Sequence, residues 1–220
     1  VSGAAALVLE KFPFFDGELV RQTLLASATD IGAPGVDDMY GWGLLNVQKA
    51  AGGPSRLDWG DVHAAIGLDP YVWSNDISGS AGLVVTSAWP QLSNYGILRL
   101  TGDNTFTGKT TVKDWGWLII DGNSASPIEI GDYGVVSAVS GTWQGDVQIG
   151  YRGSLTINGD NAPDKRTTFL GNVTNDGAIR MDPRTSADLK GDYTQTSNGN
   201  LFFHVGAPAL QVAGTAQLDG

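Results

Sequence analysis

From Leu83 to its end the chain is a string of very short apolar runs separated by turn signals, and this texture limits what it can fold into. LVV occupies Leu83 to Val85, ILRL Ile97 to Leu100, WLII Trp117 to Ile120 and IEI Ile128 to Ile130. VVSAV follows at Val135 to Val139, VQI at Val147 to Ile149, SLTI at Ser154 to Ile157, AIRM at Ala178 to Met181 and LFFHV at Leu201 to Val205. Asp121-Gly122, Asn158-Gly159 and Asn198-Gly199 lie between them, each a turn dipeptide. With 31 glycines in 220 residues and only 16% charged residues, a β-dominated protein is favoured over a helical bundle. Two all-β architectures suit such a string. Asn-Gly between strands favours the hairpins of an antiparallel sandwich, whereas very short strands with loosely recurring glycine favour the stacked coils of a parallel β-helix.

The first fifty residues read differently. Ala4 to Leu9 is apolar on every side, as in a helix buried all round, and Pro13 ends it. Asp16 is placed to cap a second helix with Glu18 in its first turn and Leu19, Val20, Leu24 and Leu25 as its buried stripe. Thr29 to Asp38 is a loop, and Leu44 to Ala51 a third helix, stopped by Gly52, Gly53 and Pro54. The stretch 55–76 reads as an irregular linker or collar, with Trp59 and Trp73 available to pack it against a neighbour.

A formal net charge of −10 argues against a nucleic-acid partner, which needs clustered Lys and Arg, and there is no basic patch or charged tail. Cysteine is absent, and no apolar run approaches the ~20 residues of a spanning helix. No initiator Met or signal peptide is present, which is uninformative for a chain that starts at Val1.

Two stretches carry family resemblances. VSGAAALVLEKFP (Val1 to Pro13) and YGWGLLNVQKA (Tyr40 to Ala50), in that order and at that distance, resemble the tail of a subtilisin-like serine peptidase, or subtilase. In that family the first helix directly follows the nucleophile motif Gly-Thr-Ser-x-Ala-x-Pro-x. Aligned on Val1, the nucleophilic serine is expected about six residues upstream of this chain, with the Asp and His of the triad further back. The second stretch, LRLTGDNTFTGKTTV from Leu98 to Val112 continuing to WGWLIIDG at Trp115 to Gly122, resembles the passenger-associated repeat of bacterial autotransporters. Leu98, Leu100, Gly102, Asn104, Thr105, Phe106, Gly108, Thr110 and Val112 fall on its pattern. Phe106 replaces the usual Tyr, and Trp117 fills a slot that is usually small. Gly191 to Gly206 and Leu210 to Gly220 resemble the last passenger rungs before a translocation barrel.

The resemblances together imply a fragment of a subtilase autotransporter. Residues 1–54 are expected to end the peptidase domain, 55–76 to link, and 77–220 to form a right-handed parallel β-helix stalk containing the repeat at about 98–122. The implied parent is a secreted or surface-exposed serine endopeptidase, passed through an outer-membrane β-barrel of its own polypeptide and acting on proteins or peptides. Cysteine's absence suits transport of an unfolded chain. The alternative is a non-catalytic β-helical adhesin. Neither a cofactor nor a metal is implied, and the 220 residues alone should be inactive.

Within the subtilase reading, Ser2, Gly3, Ala4, Ala5 and Ala6 serve to position the helix that bears the nucleophile, whose positive end favours developing negative charge. Tyr40, Gly41, Gly43 and Asn46 match the closing motif and are expected to be structural. Other residues carry less. His63, two residues from Asp61, and His204, among apolar neighbours, are solvated or satisfied histidines rather than parts of a triad. Tyr40-Gly41-Trp42-Gly43 is half of a dinucleotide fingerprint and follows a loop. Asp160 to Asp164 lacks the Gly and Glu of a calcium loop. Asn172-Val173-Thr174 is a formal glycosylation acceptor with little meaning in a bacterial protein. Asp182, Arg184, Asp188 and Lys190 could serve a polysaccharide-acting β-helix enzyme, but their spacing reads as a surface loop. The seven tryptophans are expected in the core and at rung corners, with nothing in their spacing to support carbohydrate stacking.

Overall fold

The computed structural model describes residues 1–157, 166–183, 185–203 and 210–219. Three helices lead into a parallel β-solenoid of about seven turns. At ~4.8 Å per turn the column is roughly 34 Å tall.

Helix α1 (Ser2–Lys11) packs on α2 (Gly17–Ala26), whose N-cap Asp16 accepts from the Leu19 amide at 2.7 Å. Leu19, Val20 and Leu24 are buried, as the stripe demands, while Leu25 is half-buried. Helix α1 is not buried all round, contrary to its sequence pattern. Ala4 and Val8 are buried, but Leu7 and Leu9 are exposed, because α2 and the first coil cover only one side of it. The third helix is also shorter than Leu44 to Ala51. Leu44 pairs with Thr29 in an antiparallel bridge, and Asn46 caps α3 (Val47–Ala50) by accepting from the Lys49 amide at 2.9 Å.

The coils follow in order. Strand β1 (Arg56–Leu57) leads into the first coil, which holds β2 (Val62–Ile66), β3 (Tyr71–Trp73) and β4 (Ser78–Gly79), with β4 lying one coil from β1. The second holds β5 (Leu83–Ser87) and β6 (Gly96–Leu100), and the third β7 (Thr110–Val112) and β8 (Gly116–Asp121). Strands β9 (Ile128–Ile130) and β10 (Val135–Trp143) make the fourth, with β10 bending across two faces. The fifth has β11 (Val147–Ile149), β12 (Ser154–Ile157) and β13 (Arg166–Phe169), and the sixth β14 (Val173–Asn175), β15 (Ala178–Met181) and β16 (Ser186–Leu189). The seventh has β17 (Tyr193–Gln195), β18 (Asn200–Phe203) and β19 (Leu210–Val212), and β20 (Ala216–Leu218) begins another.

Every named strand pairs parallel with its counterpart one coil away, which removes the sandwich. On the first face Val62, Leu83, Thr110, Ile128, Val147, Val173, Tyr193 and Ala216 are in register. On the second, Tyr71, Leu98, Leu118, Val136, Leu155, Ile179 and Leu201 do the same. Alternate residues point inward, so short runs suffice to fill a continuous core.

The stretch 55–76 is not irregular. It carries β1 to β3 and forms the first coil, with Trp73 fully buried. Its β2, VHAAI, buries Val62, Ala64 and Ile66 and exposes His63 and Ala65, a pattern with too little β-branched character to stand out in sequence.

Two corners of the solenoid are laced by Asp and Asn side chains that reach the amide of the next coil. Asp76 accepts from the Asp103 amide at 2.7 Å and Asn123 from that of Thr142 at 2.9 Å. At the other corner Asp146 accepts from Asn172, Asn172 from Asp192 and Asp192 from Thr215. These bonds satisfy amides that the bends leave without a ladder partner. The Asn172 side chain of the formal glycosylation sequon is used in this way.

Candidate functional site

The N-terminal end of α1 is the position the subtilase resemblance singles out. Val1 makes no side-chain cap bond, and the first turn of α1 has no acidic residue. The opposite end is anchored. Phe12 is fully buried and stacks on Phe15 with centroids 4.8 Å apart, Phe14 meets Tyr71 at 5.0 Å, and Phe15 meets Trp73 at 5.9 Å. Tyr71 and Trp73 belong to β3, so the helix rests directly on the first coil. Several apolar residues of this helical part are open to solvent, with Val1, Leu7, Met39 and Leu44 all more than half exposed.

The loop that follows α2 is held by its own carboxylates. Asp37 accepts from the amides of Tyr40, Met39 and Ala33, at 2.6, 2.9 and 3.1 Å. These bonds, that of Tyr40 foremost, hold the Asp37 carboxyl below its ordinary value. Asp30 accepts from Gly35 at 2.7 Å. Asn46 donates to the Thr29 hydroxyl at 3.1 Å as well as capping α3, and Trp42 packs on Trp59 at 5.6 Å. All of these interactions shape backbone, and none aligns a nucleophile with a base.

The other candidate residues are dispersed. His63 points outward from β2, and the Asp61 carboxylate beside it accepts from the Gly82 amide at 2.7 Å. His204, Asp160 to Asp164 and Arg184 lie outside the described residues. Asp188 is on the third face in an ion pair with Arg166 at 2.6 Å, whereas Asp182 lies in the groove of the second face, so the two acids do not converge. Among the described residues no three His, Cys, Asp or Glu side chains gather as metal ligands, and no helix is long and apolar enough to cross a membrane.

The sequence reading missed an aromatic row at the corner between the first two faces. Tyr95, Trp115 and Tyr133 occupy the same place on successive coils, each between an Asn or Asp and a Gly. The recurring Asn-Tyr-Gly, Asp-Trp-Gly and Asp-Tyr-Gly triplets were its available signal. Of the tryptophans, Trp73 and Trp143 are in the core, as expected, while Trp117 faces outward from β8. A large indole fits the usually small slot because that slot opens to the surface.

Residues 1–43 match the subtilase family. Over its whole length the chain is 34% identical to the Neisserial autotransporter lipoprotein NalP of Neisseria meningitidis serogroup B, covering 18% of that protein. An extracellular serine protease of Serratia marcescens is 31% identical over 62% of the chain and 16% of its own length. Serotype-specific antigen 1 of Mannheimia haemolytica is 37% identical over 36% of the chain and 8% of its own length. The chain thus spans less than a fifth of the length of the relatives it matches. With subtilase helices at one end and a parallel solenoid behind them, the chain fits a passenger fragment of a subtilisin-like autotransporter.

Proposed function

We propose that the chain belongs to a serine endopeptidase delivered to the bacterial surface or exterior by autotransport, and that these residues are the end of its peptidase domain and the stalk that carries it. In this reading residues 1–54 complete the peptidase domain, and the solenoid that begins at β1 is the stalk. The nucleophilic serine precedes Val1 by about six residues, at the start of the helix whose body is α1, where helix N–H groups stabilise the oxyanion of an acyl-transfer step. Substrate proteins or peptides are bound by parts of the protein outside this chain, and an outer-membrane barrel of the same polypeptide exports it. In this reading the triad lies upstream, and the 220 residues alone do not cut peptide bonds.

The observation that carries this reading is the set of exposed apolar residues on α1 and the loop after α2, set on a solenoid whose sequence is similar along its length to the Neisserial autotransporter lipoprotein NalP. An apolar surface of this kind belongs against further secondary structure. The test is to extend the chain upstream to include the preceding peptidase sequence and to follow casein hydrolysis. Hydrolysis that vanishes when the serine of a Gly-Thr-Ser motif before Val1 is replaced by Ala supports the proposal. An upstream sequence with no such motif, or an extended chain that is inert, leaves the helices as scaffold and favours the adhesin.

A further inference from the structure

The outer surface of the second face carries a groove of about 730 Å³ that the peptidase reading does not use. One wall is the aromatic corner, with Tyr133, Tyr151 and Arg152. The other is formed by Arg180, Asp182 and Phe202. The floor is made of small and hydroxyl residues such as Ser154, Thr156 and Ala178, and Trp117 closes one end. The Trp117 indole is pinned by donating to the Ser137 hydroxyl at 2.9 Å. Stacking at the corner explains why Trp115 and Tyr133 are aromatic. It does not explain the exposed Phe202 and Tyr151, nor the two arginines set among these rings.

Those arginines differ from the others on the solenoid. Arg56, Arg99 and Arg166 form ion pairs with Asp58, Asp121 and Asp188. Arg152 and Arg180 form none among the described residues. Arg152 instead donates to the Tyr133 hydroxyl at 2.8 Å and lies 5.2 Å from that ring, and Arg180 sits 4.3 Å from the Phe202 ring. In a chain with 23 acidic and 13 basic residues, this groove gathers two guanidiniums against one carboxylate. Held by aromatic faces rather than by carboxylates, they keep donors for an incoming anion. The ligand must present apolar faces to Trp117, Tyr151 and Phe202, acidic groups to the arginines, and hydroxyls to Ser154, Thr156 and Asp182. A pyranose carrying a carboxylate has all three.

We infer that the groove on the second face of the solenoid binds an acidic oligosaccharide, with uronate or sialate carboxylates on Arg152 and Arg180. The solenoid then tethers its cargo to an anionic glycan surface. Titration calorimetry on the 220-residue chain tests this with tetragalacturonate, a hyaluronan hexasaccharide and sialyllactose, against neutral cellotetraose and hexaglutamate. At least one acidic sugar should bind, and the neutral sugar and the peptide should bind at least about tenfold more weakly. Arg180→Gln should weaken binding about tenfold and Trp117→Ala should abolish it, with unchanged circular dichroism. Lys109→Gln, which removes a cation paired with Glu129 elsewhere on the surface, should change nothing. Absence of binding by all three acidic sugars at millimolar concentration overturns the inference. So does equal binding of cellotetraose, tighter binding of hexaglutamate, or indifference to Arg180→Gln.

Discussion

The indole of Trp115 lies 4.8 Å from the ring of Tyr133, with 5° between their planes. These residues sit on successive coils, so their separation is the solenoid's own repeat and not a special adjustment. Tyr95 meets Trp115 at 5.2 Å on one side, and the Arg152 guanidinium lies over Tyr133 at 5.2 Å on the other. The corner is therefore an aromatic column, edge-on at Tyr95 and face to face between Trp115 and Tyr133, that ties several coils together. Parallel ladders hold each coil only to its neighbours, and this column adds side-chain coupling along the axis. Trp115→Ala and Tyr133→Ala should each destabilise the chain, and their effects should not add. A double-mutant cycle in urea should give a coupling of about 0.5–1.5 kcal/mol.

The glycine after each corner aromatic is fixed by the coil before it. A Cβ at Gly134 would lie 2.1 Å from the Val112 carbonyl oxygen, and one at Gly116 would lie 2.3 Å from that of Val85. Backbone cannot yield as a flexible side chain can. Gly134→Ala should cost about 2–3 kcal/mol of stability, read as a drop in the urea midpoint. Gly67→Ala, with nothing within 4 Å of the added methyl, should cost far less.

How far the sequence could be read depends on which force shapes each part. Runs such as IEI at 128–130, VQI at 147–149, SLTI at 154–157 and AIRM at 178–181 coincide with strands, because burial on alternate residues selects branched and large apolar side chains. Strands such as RTTF, VTN and YTQ were not legible from apolarity. They are held by main-chain ladders and bury only one or two side chains. Turn dipeptides misled in a particular way. Asn198-Gly199 bends the chain within a coil, with the Gly199 amide bonded to Thr196, instead of reversing it into a hairpin. The Gly-Asp and Gly-Asn pairs at the laced corners are visible in the sequence, but irregular coil lengths hide their recurrence. The groove was least legible, since Trp117, Tyr151, Arg180 and Phe202 are far apart in the chain and meet only because coils stack in register.

Polar packing at the end of the core gives an alkaline signature. Tyr193 is buried, donates to Gln195 at 2.9 Å and accepts from Asn175 at 3.2 Å. Burial raises its hydroxyl above the ordinary phenol value, with the Asn175 bond opposing. The folded state therefore favours the neutral phenol. This contribution is complete below the unfolded value near 10 and is lost as pH rises through the folded one. Tyr193→Phe should cost about 1–2 kcal/mol at neutral pH, because Asn175 and Gln195 lose a partner. It should also flatten the alkaline fall in stability.

Asp58 contributes to the opposite limb. Its hydrogen bond with Arg56, followed by that from the Ser80 amide at 3.0 Å, lowers its carboxyl below the ordinary value. The stability it contributes is present above the unfolded carboxylate value and is lost as pH falls through the folded one. Asp58→Asn should shift the acid unfolding midpoint to lower sensitivity, seen as a shallower stability profile below about pH 4.

The measurement that tests the account most directly is labelling with a serine-directed fluorophosphonate, comparing the 220-residue chain with one extended upstream through the peptidase sequence. The account predicts no labelling of the 220 residues, and stoichiometric labelling of the extended chain at a serine shortly before Val1. Stoichiometric labelling of the 220-residue chain itself, or none in the extended one, would contradict it.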